Sequence, residues 1–193
     1  MTAEGYGAEV SLFTSRRERR LWIWTLVVVA AIYSTLGLAP TLADELQSRD
    51  LYGAIWFIAF LLLIVAVVVQ ALKKRPGGVE IGVVIGVVAV YMMVFARIAQ
   101  PAEHSHLFEY GIVAFLIYLA LAERRNNGRH VPSPAVLAVA TTAVVGWIDE
   151  GIQGLLSNRV YDILDVGVNA LAGLLAVTAT VALTWVRRQS RSG

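Results

Sequence analysis

The sequence predicts an all-α polytopic membrane protein, a bundle of six transmembrane helices with both termini in the cytoplasm. Three observations carry the prediction. Of the 193 residues, 58% are hydrophobic and only 16% charged, and the apolar residues gather in runs long enough to cross a bilayer. Short polar turns separate the runs. Thirteen of the sixteen Lys and Arg residues fall in four segments, 16–20, 73–75, 124–129 and 187–191, which the positive-inside rule puts together on the cytoplasmic side. The chain has no cysteine, which excludes disulfides, thiolate metal sites and a cysteine nucleophile. A net charge of +2 without a basic stripe excludes nucleic acid as an expected partner.

Residues 1–20 read as a cytoplasmic tail ending in Arg16-Arg17-Glu18-Arg19-Arg20. The first apolar run, Leu21 to Ala39, exceeds the usual signal-peptide core of about 7–15 residues and is expected to be a retained helix. Trp22 and Trp24 stand where an interfacial aromatic belt would be. Pro40 to Asp50 reads as a short acidic loop. The second run, Leu51 to Leu72, ends in the basic turn Lys73-Lys74-Arg75-Pro76-Gly77-Gly78. The third, Val79 to Ala99, carries Gly78, Gly82 and Gly86 four apart, a face for close helix packing. Residues 21–99 thus hold three helices, and 100–187 hold three more. The fourth helix begins near Pro101 and runs to Ala122. The fifth opens at Pro132 and Pro134 and continues past Trp147 to about Leu156. After a turn at Ser157 and Asn158, the sixth runs from about Tyr161 to Val186, leaving 188–193 as a second cytoplasmic tail.

The outer segments carry nine acidic residues, among them Glu103, Glu109, Asp149, Glu150, Asp162 and Asp165. Glu103, His106 and Tyr110 recur at helical spacing, with Glu109 beside them. Asp149 and Gln153 are four apart, Glu150 and Gln153 three apart. Asp162, Asp165 and Asn169 form one stripe. A charged side chain in hydrocarbon costs about 2.5–3.5 kcal/mol on insertion scales, so three such stripes are expected to face one another. Together they define one polar site at the outer membrane face. Its carboxylates and imidazole suit a divalent cation. One carboxylic acid among several suits general acid or base work, and Arg159 suits a phosphate or carboxylate. His104 and His130 read as solvated loop residues, and Arg97 as a snorkelling helix end. Neither Ser105 nor Ser157 lies in a nucleophile motif.

The segments Ala102-Glu103-His104-Ser105-His106-Leu107-Phe108-Glu109-Tyr110, Asp149-Glu150-Gly151-Ile152-Gln153 and Arg159-Val160-Tyr161-Asp162-Ile163-Leu164-Asp165-Val166-Gly167-Val168-Asn169 resemble the VanZ-like family of bacterial and archaeal membrane proteins. The resemblance covers roughly residues 101–175. It implies that His106, Glu109, Tyr110, Asp149, Glu150, Gln153, Arg159, Asp162, Asp165 and Asn169 are the characteristic polar positions. The chain departs from the family pattern at His104, where an Arg is common, and at Ile152, where a His is common. The second departure removes one candidate metal ligand. The family takes its name from a protein giving low-level resistance to teicoplanin, a glycopeptide antibiotic.

The expected function is therefore that of a multi-pass protein of a prokaryotic cell membrane. Its site binds or acts on an amphiphilic envelope molecule: a lipid-linked precursor, a phospholipid or a lipoglycopeptide. Glu109, Asp149, Glu150 and Asp165 are the candidate catalytic groups. His106, Tyr110, Gln153, Arg159, Asp162 and Asn169 are the candidate ligand-binding groups. Hydrolysis or transfer on a lipid head group is the expected reaction class if the protein is an enzyme. A proton- or cation-coupled transporter and a structural, partner-binding membrane protein are the alternatives.

Overall fold

The computed structural model describes residues 12–59, 61–62, 77–98, 103–156 and 161–192. They form α-helices and no strand. The helices are α1 (Arg16–Thr35), α2 (Ala39–Ser48), α3 (helical residues 52–59), α4 (Gly78–Arg97), α5 (Glu103–Asn126), α6 (Pro134–Gln153) and α7 (Ile163–Ser192). Among the described residues four stretches are long and apolar enough to cross a membrane: Gly78–Arg97, His104–Asn126, Pro134–Gln153 and Ile163–Gln189. The turn expected at Ser157 and Asn158 and half of the second apolar run lie outside the described residues, as does the basic turn at 73–76.

The first two elements differ from expectation. The basic run is not a tail before the helix but the first turn of α1. Ser15 caps that turn by accepting from the Glu18 amide at 3.0 Å, and Glu18 reaches back to the Thr14 amide at 2.7 Å, which satisfies two otherwise orphan donors. α1 stops at Thr35 rather than Ala39, so its apolar part, residues 21–35, is only about 22 Å long. The segment expected as an acidic loop is helix α2. It is braced by Arg49 on Glu45 one turn away and closed by Asp50 in the left-handed region at φ 58°. The Asp50 and Leu51 amides return to Gln47 and Leu46 there. α5 ends the same way with Gly128 at φ 84°, where Gly128 and Arg129 donate to Arg125 and Arg124. Both are Schellman closures.

α5 is the central helix and packs on α1, α6 and α7, while α4 packs on α7. Its buried positions Leu107, Tyr110, Val113, Ala114, Ile117 and Ala120 meet Ile32, Ala138, Ala172 and Val177 of the neighbours. Outward-facing positions carry Trp24, Ile85, Met93, Trp147, Leu164 and Trp185, all exposed, whereas Glu80 is the buried residue of α4. This arrangement inverts a water-soluble protein and suits a hydrocarbon surround.

The helices alternate in direction. At one end Arg17 pairs with Glu123 at 3.2 Å, Arg124 with Glu18 at 3.5 Å, and Arg187 with Glu80. These pairs tie α1 to α5 and α7 to α4. The far ends of α1, α4 and α6 and the starts of α5 and α7 therefore meet at the opposite end, where Tyr33 donates to the Val145 carbonyl at 2.8 Å.

α6 and α7 approach closely through glycines. A side chain begun at Gly146 would stand 2.7 Å from Asn169 Cβ, and one at Gly173 would stand 3.1 Å from Thr142 Cγ2. The glycines expected to serve packing, Gly78, Gly82 and Gly86, meet nothing within 4 Å among the described residues. We expect Gly146→Ala to lower the melting temperature in detergent by the equivalent of about 1–3 kcal/mol, the usual cost of overpacking. Gly167→Ala, with open space around it, should be neutral or raise stability by about 0.5–1 kcal/mol.

Burial pushes the Glu18 carboxyl up, but hydrogen bonds from the Thr14 hydroxyl and amide, with the Arg124 charge, outweigh it and hold the group below its ordinary 4.5. A depressed carboxylate contributes stability that is complete above the unfolded value and is lost as pH falls through the folded one. The wild-type melting temperature should therefore drop more steeply between about pH 5 and pH 3 than that of Glu18→Gln.

Candidate functional site

The polar residues of α5, α6 and α7 gather at the end opposite the ion pairs. His106 and Tyr110 come from α5, Asp149, Glu150 and Gln153 from α6, and Asp165 and Asn169 from α7. All are buried, and Tyr110, Asp149, Glu150 and Asn169 are wholly inaccessible. Glu109 is half-buried on α5, one turn from His106.

Local sequence explains the placement. α6 starts at Pro134 behind the Ser133 cap, and twenty residues carry it to Gln153. Asp149 and Glu150 thus lie in its last turns and Gln153 closes it. The Gln153 amide donates to Asp149 Oδ2 and to Glu150 Oε1, both at 3.0 Å. One amide group therefore bridges two neighbouring carboxylates and fixes both. Asp162 caps α7 by accepting from the Leu164 amide at 2.8 Å, and its own amide donates to Glu150 Oε2 at 3.4 Å. Its carboxylate works as a helix cap as well as a member of the polar stripe.

Helix register brings the stripes level. Thr142 meets Gly173 and Gly146 meets Asn169. Stepping one more turn outward on each antiparallel helix sets Glu150 level with Asp165. The ring of Tyr110 lies 6.0 Å from that of His106. One ligand atom from each of His106, Asp149 and Glu150 falls within 4.8 Å of the others, so the expected lack of a histidine at Ile152 does not dismantle a mixed imidazole–carboxylate donor set.

Sequence reasoning placed His104 in a solvated loop. It lies instead in the first turn of α5, half-buried, stacked on Phe95 at 4.0 Å with its Nε2 3.1 Å from the Phe95 carbonyl oxygen. Trp56 and Phe108 complete this aromatic group. The stacking pulls the ring away from water and makes it a helix-packing residue. His130 is exposed, as expected. Arg97 is exposed in the last turn of α4. Arg159 lies outside the described residues.

Thr142, Gly146 and Gly173 escaped the sequence reading. Thr142 is wholly buried, and neither its hydroxyl nor either amide atom of Asn169 has a hydrogen-bond partner among the described residues. The signal is present in the chain as two series at i, i+4, i+8: Thr142-Gly146-Glu150 and Asp165-Asn169-Gly173. In each, small residues and polar ones share a face.

The class defined by these features is a helical membrane protein with a buried acidic–imidazole cluster near one end of its spanning bundle. No family model, curated protein or solved structure matches the chain.

Replacing Gln153 by Leu removes the donor shared by two buried carboxylates. We expect a loss of about 1–3 kcal/mol in detergent, the usual cost of stranding a buried polar group. Gln153→Glu should cost more, because it adds a third charge. Thermal melts of the two variants beside wild type would show the order.

Proposed function

We propose that this chain is a VanZ-like protein of a prokaryotic cell membrane, with six spans and both termini in the cytoplasm. Its buried polar cluster faces the outer leaflet and binds or acts on the head group of an amphiphilic envelope molecule. One observation carries the reading: seven polar residues drawn from the three motif segments, His106, Tyr110, Asp149, Glu150, Gln153, Asp165 and Asn169, are buried together at one end of the bundle. The orientation draws support from the opposite end, where Arg16, Arg17, Arg124, Arg125 and Arg187 collect. The apolar outer surface supports the membrane setting.

In this reading His106 and Arg159 engage an anionic head. Glu109, Asp149 and Asp165 orient it or carry protons, and Tyr110, Gln153 and Asn169 hold the wall. Lipid-linked precursors, phospholipids and lipoglycopeptides such as teicoplanin share the required chemistry: a polar, charged head on a long apolar tail. Any reaction would be hydrolysis or group transfer at the head. The carboxylates lie within the last turns of α6 and the first turn of α7, near the interface rather than at mid-bilayer, which counts against an ion-coupled transporter.

Native mass spectrometry of the protein in mild detergent tests the proposal. We expect a bound lipid or envelope intermediate on wild type. Occupancy should fall about tenfold, the equivalent of about 1.4 kcal/mol, in folded Glu109→Gln and Asp165→Asn. Adducts of equal occupancy on all three proteins would reject the site.

A further inference from the structure

We infer that His106, Asp149 and Glu150 bind one borderline divalent cation, of the zinc, manganese or cobalt class. The inference deepens the outer-face site and rests on that reading. A cation held there would meet an anionic head group as a Lewis acid.

The donor set is specific in chemistry and in place. One nitrogen and two carboxylate oxygens, from two different helices, lie within 4.8 Å of one another. Donors around such an ion at about 2.0–2.2 Å stand roughly 3–3.5 Å apart. Side-chain rotations that shorten the widest separation by about 1.3–1.8 Å therefore close the site. An imidazole beside carboxylates favours borderline metals over calcium or magnesium, which take oxygen alone. All three side chains are at least 96% buried, unlike the acidic patches that decorate protein surfaces.

Two features around the donors fit a metal centre. The Gln153 amide holds one oxygen of each carboxylate, as outer hydrogen-bonding groups orient metal ligands. Independently, Asn169 is wholly buried with neither amide atom hydrogen-bonded among the described residues. It lies on Gly146, one turn beneath Glu150 on the same face of α6. A buried amide without a partner is costly. A water bound to the ion would satisfy it.

The test uses the full-length protein in detergent, stripped with a chelator, desalted, and titrated with cobalt(II) and then zinc(II). We expect one equivalent of either metal to survive a second desalting, with visible cobalt absorption of mixed nitrogen–oxygen ligation that zinc abolishes. His106→Gln should weaken binding at least about tenfold, and Asn169→Ala about ten- to hundredfold. Gly167→Ala, exposed and with open space around it, should keep the metal. Wild type that retains no cation overturns the inference, whatever the variants do, and so does a cobalt spectrum unchanged in His106→Gln. A lipid adduct that persists on metal-free wild type removes the cation and leaves the head-group reading standing. A retained cation with no lipid adduct on any sample supports the metal site and removes that reading.

Discussion

Among the described residues, ten polar or charged side chains from Glu18 to Asn169 are buried in this bundle, while leucines, isoleucines and tryptophans of the same helices face outward. In hydrocarbon that sorting is enforced by solvation: each ionisable group turned to lipid costs about 2.5–3.5 kcal/mol, whereas an exposed leucine costs nothing. The polar residues therefore decide which face of each helix points inward. In α4 the buried Glu80, held by Arg187, lies on the same face as Tyr91, Val94, Phe95 and Ile98, which pack on the core.

The two ends use this constraint differently. At the basic end the charges come as pairs, so each carboxylate meets a guanidinium and the electrostatics close locally. At the other end acids gather around one imidazole and one amide. The paired end fastens α1 to α5 and α4 to α7, whereas the acid-rich end sets an imidazole of α5 against two carboxylates of α6.

Much of this was legible in the chain. The stripes at 103–110, 149–153 and 162–169 were visible from spacing alone, and the structure buries His106, Tyr110, Asp149, Glu150, Gln153, Asp165 and Asn169 at one end because helices of alternating direction bring the starts of α5 and α7 beside the end of α6. The fold of residues 36–50 was not legible. Its acids and Pro40 suggested a loop, yet Pro is tolerated in a first helical turn and Asp50 accepts the left-handed closure. His104 was misread for a related reason. Its surroundings are Phe95, across the turn before α5, and Trp56, from a distant part of the chain, which no local pattern reveals. The glycine signal was real but sat elsewhere. Gly78, Gly82 and Gly86 are regular and therefore conspicuous, whereas Gly146 and Gly173 are opposed to bulky partners on another helix, which only the register exposes.

The contact between Gly146 and Asn169 also constrains how such a protein changes over generations. The two positions do not vary independently. A side chain can arise at 146 only after position 169 has shrunk, and Asn169 cannot shrink without removing an amide from beneath the acids. The order of substitution is thereby fixed, with loss of the polar residue first and filling of the gap second. Descendants that abandoned the site are expected to carry small residues at both positions as an intermediate, and then larger apolar ones. Lineages that kept the site would hold glycine at 146 for a packing reason, even though glycine itself has no chemistry.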